Sequence, residues 1–433
     1  MLLILNLYRI NDFSILYNPF VHTLLKRVYF FSLFLILLPS FYLADPPINV
    51  LNLAKLLWII VLISLLLGSV LKKTSLKIRS RLLILFLLFF LSQTLSVINA
   101  QNITSFLEKF KELSSILIML ILSIYFIKSK SDVKKIIIIL FIDGVINLGI
   151  QLLIVVSPNL FIGLGNLILH PNYLKAVVVN IERGRIFLAS YNEMLIPLVF
   201  YILVAQAKEI NKKILGISTI TIITVFSALS GFRTNLLMSS FAILGTIFLY
   251  RKFTKLSLFI ICIVLFTLLG LYSITPFLNS KTGIERVFDT EGNVNEISSG
   301  RVNKWEKAIQ MGLSSPLTGV GLGNYFDYLP SKMQRGRTGV SSIDTQFEIA
   351  AQDPHNIFLT LFSETGVLGL ISFILLLLYF IHKDLTVLIR GDQLAQSISL
   401  SFWTLLIFSL FNPSYAASFQ VSFWILRTLL EVI

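Results

Sequence analysis

The chain alternates long apolar blocks with short polar ones. Blocks of about 20 apolar residues, enough to cross a bilayer as a helix, recur from end to end. Twelve such spans are predicted, at 28–44, 50–71, 82–98, 113–127, 136–157, 194–207, 214–230, 235–250, 257–278, 356–381, 395–411 and 415–430. Within them the apolar positions are continuous rather than alternating, which excludes a transmembrane β-barrel. The expected fold class is all-α, a polytopic helical membrane protein, with residues 1–433 forming a single integral membrane domain.

Composition agrees with that pattern. Of the residues, 56% are hydrophobic and only 13% charged, too few to cover a soluble domain of this length. The net charge of +14 raises the question of nucleic acid, and its placement answers it. The short loops KKTSLKIRSR (72–81), KSKSDVKK (128–135), KEINKK (208–213) and RKFTK (251–255) fall on one side of the predicted bundle. The N-terminus, 382–394 and the end of the chain join them there. That side gathers most of the Lys and Arg and a minority of the Asp and Glu, the mark of a cytoplasmic face with both termini inside. No nucleic-acid partner is expected, and membrane lipids are. The N-terminal region lacks a small-residue cleavage site, so no cleavable signal peptide is expected. Cys262 is the only cysteine and lies within a span, which removes intrachain disulfides and a cysteine metal site.

The two longest loops, 158–193 and 279–355, then face outward. The larger one, between spans nine and ten, contains a helix-like piece, SSGRVNKWEKAIQMGLSSP, with Ser299 as N-cap and Pro316 just past its end. TGVGLGNY follows, and then a polar stretch that reads as a flap.

Four segments place strong hydrogen-bonding groups on that outer side. ERGRIFLASYNEM offers Arg183, Arg185 and Asn192, and the tight turn SGFRTN offers Arg233. SSGRVNKW places Arg301 in the first turn of the loop helix, and PHN places His355 and Asn356 at the mouth of span ten. A guanidinium suits a pyrophosphate because its planar fork makes paired, charge-assisted hydrogen bonds and never loses its charge. A cation in a helix's first turn opposes the macrodipole, and a bound anion reverses that sign. His355 is suited to general acid–base work or to orienting a hydroxyl, and equally to capping its span. His170 is a rival on the same face, whereas His22 and His382 fall on the cytoplasmic side.

Glu364 lies nine residues beyond His355, on the other side of the helix and deeper. It is expected to face the bundle and pair with an arginine or backbone donors, with Gly366 and Gly369 allowing close approach by a neighbouring helix. Asp143, Asn147 and Gln151 form one polar stripe in span five, read as a cavity lining, interhelical hydrogen bonding or a proton path. Gly319, Gly321 and Gly323 match neither a dinucleotide fingerprint nor a P-loop and read as a tight turn. There is no HExxH, no D-x-D signature and no metal site among the expected residues.

SGFRTNLL (230–237), SGRVNKWEKAIQMGLSSPLTGVGLGNY (299–325) and PHNIFLTLFSETGVLGL (354–370) together resemble the O-antigen ligase / O-antigen polymerase superfamily. These are bacterial inner-membrane enzymes that move glycans from undecaprenyl pyrophosphate carriers. The resemblance implies a GT-C-like fold and a metal-independent, inverting glycosyltransferase without cofactors, its active site facing the periplasm. It implies that Arg185, Arg233 and Arg301 hold the donor's pyrophosphate and that His355 engages the acceptor hydroxyl. Arg183, Asn192, Asn356 and Glu364 are expected in support. In ERGRIFLASYNEM the family's Pro-Asn pair lacks its proline, and Arg183 competes with Arg185. The implied partners are an undecaprenyl-pyrophosphate-linked glycan, a glycan or lipid A core acceptor, and a chain-length regulator. Polymerase is favoured over ligase because two arginine-bearing outer segments suit a donor and an acceptor that both end in pyrophosphate. The alternatives are a flippase for the same lipid-linked glycan, which predicts symmetric halves that the sequence lacks, and a non-catalytic component of an assembly complex.

Overall fold

A backbone N–H or C=O within hydrocarbon finds no water, so an apolar block satisfies its own hydrogen bonds by coiling. The computed structural model describes residues 19–38, 50–71, 80–169, 174, 178, 191–230, 232–250, 301–328, 353–412 and 417–433, and no β-sheet forms among them. The helices are α1 (Pro19–Leu37), α2 (Val50–Leu71), α3 (Arg81–Leu95), α4 (Ile103–Phe126), α5 (Lys130–Val156) and α6 (Pro158–Ile168). After these come α7 (Asn192–Ala205), α8 (Ile210–Leu229), α9 (Arg233–Leu249), α10 (Arg301–Ser314), α11 (Ile357–Arg390), α12 (Gln393–Ser409) and α13 (Ala417–Val432).

Every predicted span within the described residues carries a helix; 257–278 lies outside them, as do 279–300 and 329–352 of the large loop. Six helices, α1, α2, α3, α5, α8 and α11, are long and apolar enough to cross a membrane. The others are shorter or, in α4, carry Glu108, Lys109, Lys111 and Glu112 in their early turns. Those charges suggest a loop before residue 113, yet the helix begins at Ile103. The Asn102 side chain caps it by accepting the N–H groups of Thr104 and Ser105, at 3.1 and 3.3 Å.

The long apolar helices present apolar residues on both faces. On α2, Ala54, Trp58 and Val61 are buried while Leu56, Ile60, Ile63 and Leu67 stand exposed at helical spacing, the pattern of a helix with neighbours on one side and lipid on the other. α7 is irregular, opening as a 3₁₀ turn and ending in a π turn over Phe200–Ala205. Pro197 lies within it and donates no backbone hydrogen bond, and the register is recovered by the wider Gln206 N–H to Tyr201 C=O bond at 3.0 Å.

The bundle has two distinct ends. One carries the described basic connections around 128–135 and 382–394, tied by Lys26–Asp132 at 2.7 Å, Lys130–Asp392 at 3.0 Å and Lys383–Glu431 at 3.5 Å. Here α11 runs past the predicted 381 to Arg390, where Gly391 terminates it at φ +70°. Within this half Arg427 of α13 is fully buried. It donates to both oxygens of Asp384, at 2.7 and 2.8 Å, and stacks 3.6 Å over the Phe402 ring. The other end gathers the start of α10, the glycine turn, the start of α11 and the α3–α4 connection.

Candidate active site

α11 is two helices joined across a break. Gly366 adopts φ +65° and ψ −162°, which no α-helix contains, and the bonds from residues 367 and 368 to 363 and 364 are lost. The glycine turn replaces them. The Val320 and Gly321 N–H groups donate to the carbonyls of Ser363 and Glu364, each at 2.9 Å. In return, the Val367 and Leu368 N–H groups donate to the carbonyls of Pro316 and Leu317, at 2.8 and 3.2 Å. An unpaired buried backbone group costs about 1–3 kcal/mol, so the turn and the break require each other. Glycine is demanded on both sides. A Cβ on Gly319 (φ +64°) would lie 2.6 Å from the Glu364 carbonyl oxygen, and one on Gly366 2.5 Å from the Leu317 carbonyl. The backbone that approaches Gly366 therefore belongs to a turn, whereas Gly369 does face a helix, with Gln93 of α3 against it.

The turn is also fastened to the α3–α4 connection. The Asn99 amide donates to Ser315 Oγ, Thr318 Oγ1 and the Gly319 carbonyl, at 2.6, 2.8 and 3.0 Å. Asn324 accepts the Asn102 N–H at 2.7 Å and donates to its carbonyl at 3.1 Å, and Leu322 N–H donates to Ser96 Oγ at 2.9 Å. Gly321 (φ +106°) passes so close to Ala100 that a Cβ would lie 2.7 Å from its Cα. The Glu364 carboxylate, almost fully buried, accepts the Gly323 N–H at 2.9 Å.

Above this scaffold stands His355. Asn356 caps α11 by accepting the N–H groups of Phe358 and Leu359, at 3.0 and 3.1 Å, and its amide donates to the Leu410 carbonyl at 3.2 Å. His355 itself sits at φ +54°, the one non-glycine with positive φ among the described residues, a strained state that clusters at functional sites. Asp353 Oδ1 accepts the His355 backbone N–H at 2.8 Å and lies 3.6 Å from its Nδ1. Burial raises Asp353 to about 7, against the pull of that N–H and of Lys304, Lys109 and Arg301. Three cations from two other helices are thus within electrostatic reach of the carboxylate beside His355. Lys109 also reaches Glu364.

Arg301 and Arg233 each open their helix, α10 and α9, and neither first turn holds an acidic residue. On the face of α10 that follows Arg301 by one turn, the buried Trp305 Nε1–H has no acceptor among the described residues. α9 packs on α12, whose last turn leads to the Leu410 carbonyl that holds Asn356, so Arg233 stands at the same end of the bundle as His355. The structure therefore brings Arg301, His355, Asn356 and Glu364 together around the α10–α11 contact. Asn192 opens α7 at the same end of the bundle, where the neighbouring Tyr191 ring meets Phe408 of α12 at 4.8 Å. It is buried at the start of α7, its Oδ1 3.4 Å from where a Cβ on Gly144 would stand, and its Nδ2 has no acceptor among the described residues. Glu193 beside it accepts Ser227 Oγ–H at 2.7 Å. Arg183, Arg185, His170 and Ser299 lie outside the described residues. In the α5 stripe, Asn147 donates to the Asp143 carboxylate and carbonyl, at 3.1 and 3.0 Å, so part of that stripe is satisfied within its own helix. No group of three metal-binding side chains forms among the described residues.

The sequence reading missed Asp353, Lys109, Asn99 and Asn324. Asp353 had a signal in QDPHN, two residues before the histidine and ahead of a proline. Lys109 in EKFKE resembled a solvated charge run, and the packing of α4 against the glycine turn half-buries it. The profile of the family described as O-antigen ligase matches residues 218–374, from α8 to the middle of α11. It bears out the resemblance to the O-antigen ligase / O-antigen polymerase superfamily. No curated protein matches the chain.

Proposed function

We propose, starting from the O-antigen ligase match over residues 218–374, that this integral membrane protein is a glycosyltransferase of polysaccharide biosynthesis. It moves a glycan from undecaprenyl pyrophosphate to an acceptor hydroxyl at the periplasmic face of the bacterial inner membrane, with both termini cytoplasmic. The observation that carries this reading is the meeting of cations and histidine. Arg301, Lys304 and Lys109 act electrostatically on the buried Asp353, which holds the backbone of His355.

In this reading Arg301 and Arg233 hold the donor's pyrophosphate, joined by Arg185 or Arg183 from the segment before α7. A sugar pyrophosphate is already activated, so the protein need only orient the attack and stabilise the charge of the leaving group. Guanidinium groups at helix starts in a water-poor site supply that stabilisation, which makes a divalent metal unnecessary. His355 takes or orients the acceptor hydroxyl proton on the face opposite the leaving group, so the anomeric configuration inverts. The lipid tail lies against exposed apolar helix faces such as that of α2. The acceptor is favoured to be a second lipid-linked glycan, because the site end offers arginines on separate segments for two pyrophosphates, and a chain-length regulator is the expected partner.

The test is the glycan profile of a deletion strain, with wild type or His355→Ala restored in turn. Single repeat units on the normal acceptor are the polymerase outcome, and long chains stranded on undecaprenyl pyrophosphate the ligase outcome. A lipid-linked repeat retained on the cytoplasmic leaflet would instead mark a flippase. Full restoration by His355→Ala sinks the catalytic assignment.

A further inference from the structure

A histidine serves as a base only when one ring nitrogen carries the proton and the other is presented to the substrate, and something must decide which. Around His355 the candidate is Asp353. Its backbone contact turns the chain so that His355 takes the left-handed conformation. Its 3.6 Å approach to Nδ1 lies within ion-pair range and just beyond hydrogen-bond length. Contacts of this kind tighten in substrate complexes. An Asx turn alone requires one oxygen and one backbone N–H; the added closeness of the ring is not needed for it.

We propose that Asp353 is the positioning residue of His355. It holds the imidazole with its proton on Nδ1 and so assigns the role of base to Nε2. The inference rests on the transfer reading above. As the acceptor oxygen bonds to the anomeric carbon, its proton passes to Nε2, the bond from that carbon to the pyrophosphate oxygen breaks, and the electron pair departs with the phosphate. The imidazolium then faces a carboxylate, the Nδ1 contact becomes an ion pair, and water removes the proton after product leaves.

Charged groups on neighbouring helices act on Asp353. Arg301 and Lys304 of α10 and Lys109 of α4 act on Asp353 from outside α11, and Lys109 also acts on Glu364 of α11. Burial raises the Asp353 carboxyl to about 7 despite those cations.

The experiment uses the full-length protein in liposomes, with lipid-linked glycan extracted from the deletion strain as donor. Asp353→Asn keeps an oxygen for the backbone N–H and removes the charge. Its turnover is expected to fall about a hundredfold, the scale of acid–base assistance, with KM little changed. The acid limb of its pH profile moves to lower pH, because the histidine loses the carboxylate that favours its protonated form. Asp353→Glu, which restores the charge, recovers part of the loss. An Asp353→Asn protein within twofold of wild type and with an unmoved acid limb overturns the proposal. One that fails to fold overturns it too, by making Asp353 structural. If His355→Ala is as active as wild type, the base assignment itself has failed; an inactive His355→Ala beside a fully active Asp353→Asn overturns only the role given to Asp353.

Discussion

At its basic end α11 carries Asp384, whose two oxygens each accept from Arg427, while Trp403 Nε1 donates to it at 2.7 Å and aromatic rings cover the guanidinium. At its other end the same helix carries Asp353 just before its cap and Glu364 at its break, with Lys109, Lys304 and Arg301 in electrostatic reach. Both ends bury charge, and they resolve it differently. The basic end closes the ion pair geometrically, one fork against one carboxylate, and leaves nothing for a ligand. At the site end the carboxylates are held chiefly by backbone N–H groups, from His355 to Asp353 and from Gly323 to Glu364. In the proposed reading, Arg301 at that end holds the donor's pyrophosphate. Architecture and chemistry can thus be told apart by what satisfies the carboxylate.

That contrast makes measurable claims. Gly319→Ala should do the most harm, since the new Cβ meets backbone at Glu364 and the positive φ penalises any side chain. Strain and overpacking together predict about 2–6 kcal/mol, seen as a large loss of melting temperature in detergent and of activity together. Arg427→Met comes next. Removing one partner of a buried pair costs about 3–5 kcal/mol, and pairing it with Asp384→Leu should return much of that. The protein that does fold should transfer glycan at wild-type rate, since the pair lies at the end away from His355. A folded but inactive Arg427→Met would erase the distinction between the two ends. The smallest effect concerns pH. Asp353 is raised from the ordinary carboxylate range to about 7, so the folded state keeps a proton that the unfolded chain releases. Its contribution is fully present at acid pH and is lost as pH rises toward 7. Asp353→Asn should flatten that slope in melting curves taken between pH 4 and pH 8, and an unchanged slope would count against the burial of this carboxylate.

Much of this was legible in the sequence. Continuous apolar blocks gave the positions of the helices because a bilayer imposes length and hydrophobicity on each one locally. Arg301, His355 and Asn356 could be read because they sit in short segments whose own pattern marks helix starts, and Glu364 because it is a carboxylate inside an apolar span. The glycine turn could be read as a turn and no further. Its partner is a break in α11, and that break rests on Gly366, which inside SETGVLGL is indistinguishable from a glycine placed for helix packing. Lys109, Asn99 and Asn324 escaped for the same reason. Their meaning arises from packing of the α3–α4 connection onto residues more than 200 positions away. Asp353 escaped differently, being overshadowed by the histidine it serves.

The stitched break also bears on how the chain is made. The turn, 315–321, leaves the ribosome before the segment 363–368 that it completes, and in the folded conformation neither satisfies its backbone alone. A nascent α11 inserted into lipid without the turn would expose unpaired carbonyls at Ser363 and Glu364, costly in hydrocarbon. The natural escape is to remain a continuous helix until the turn arrives, with residues 367 and 368 donating to 363 and 364 in the ordinary way. On that route the turn would displace the helix's own hydrogen bonds as it docks. Only after that displacement are Arg301 and His355 carried on a common frame, so the membrane would hold an inserted yet inactive precursor until the last four hydrogen bonds are traded.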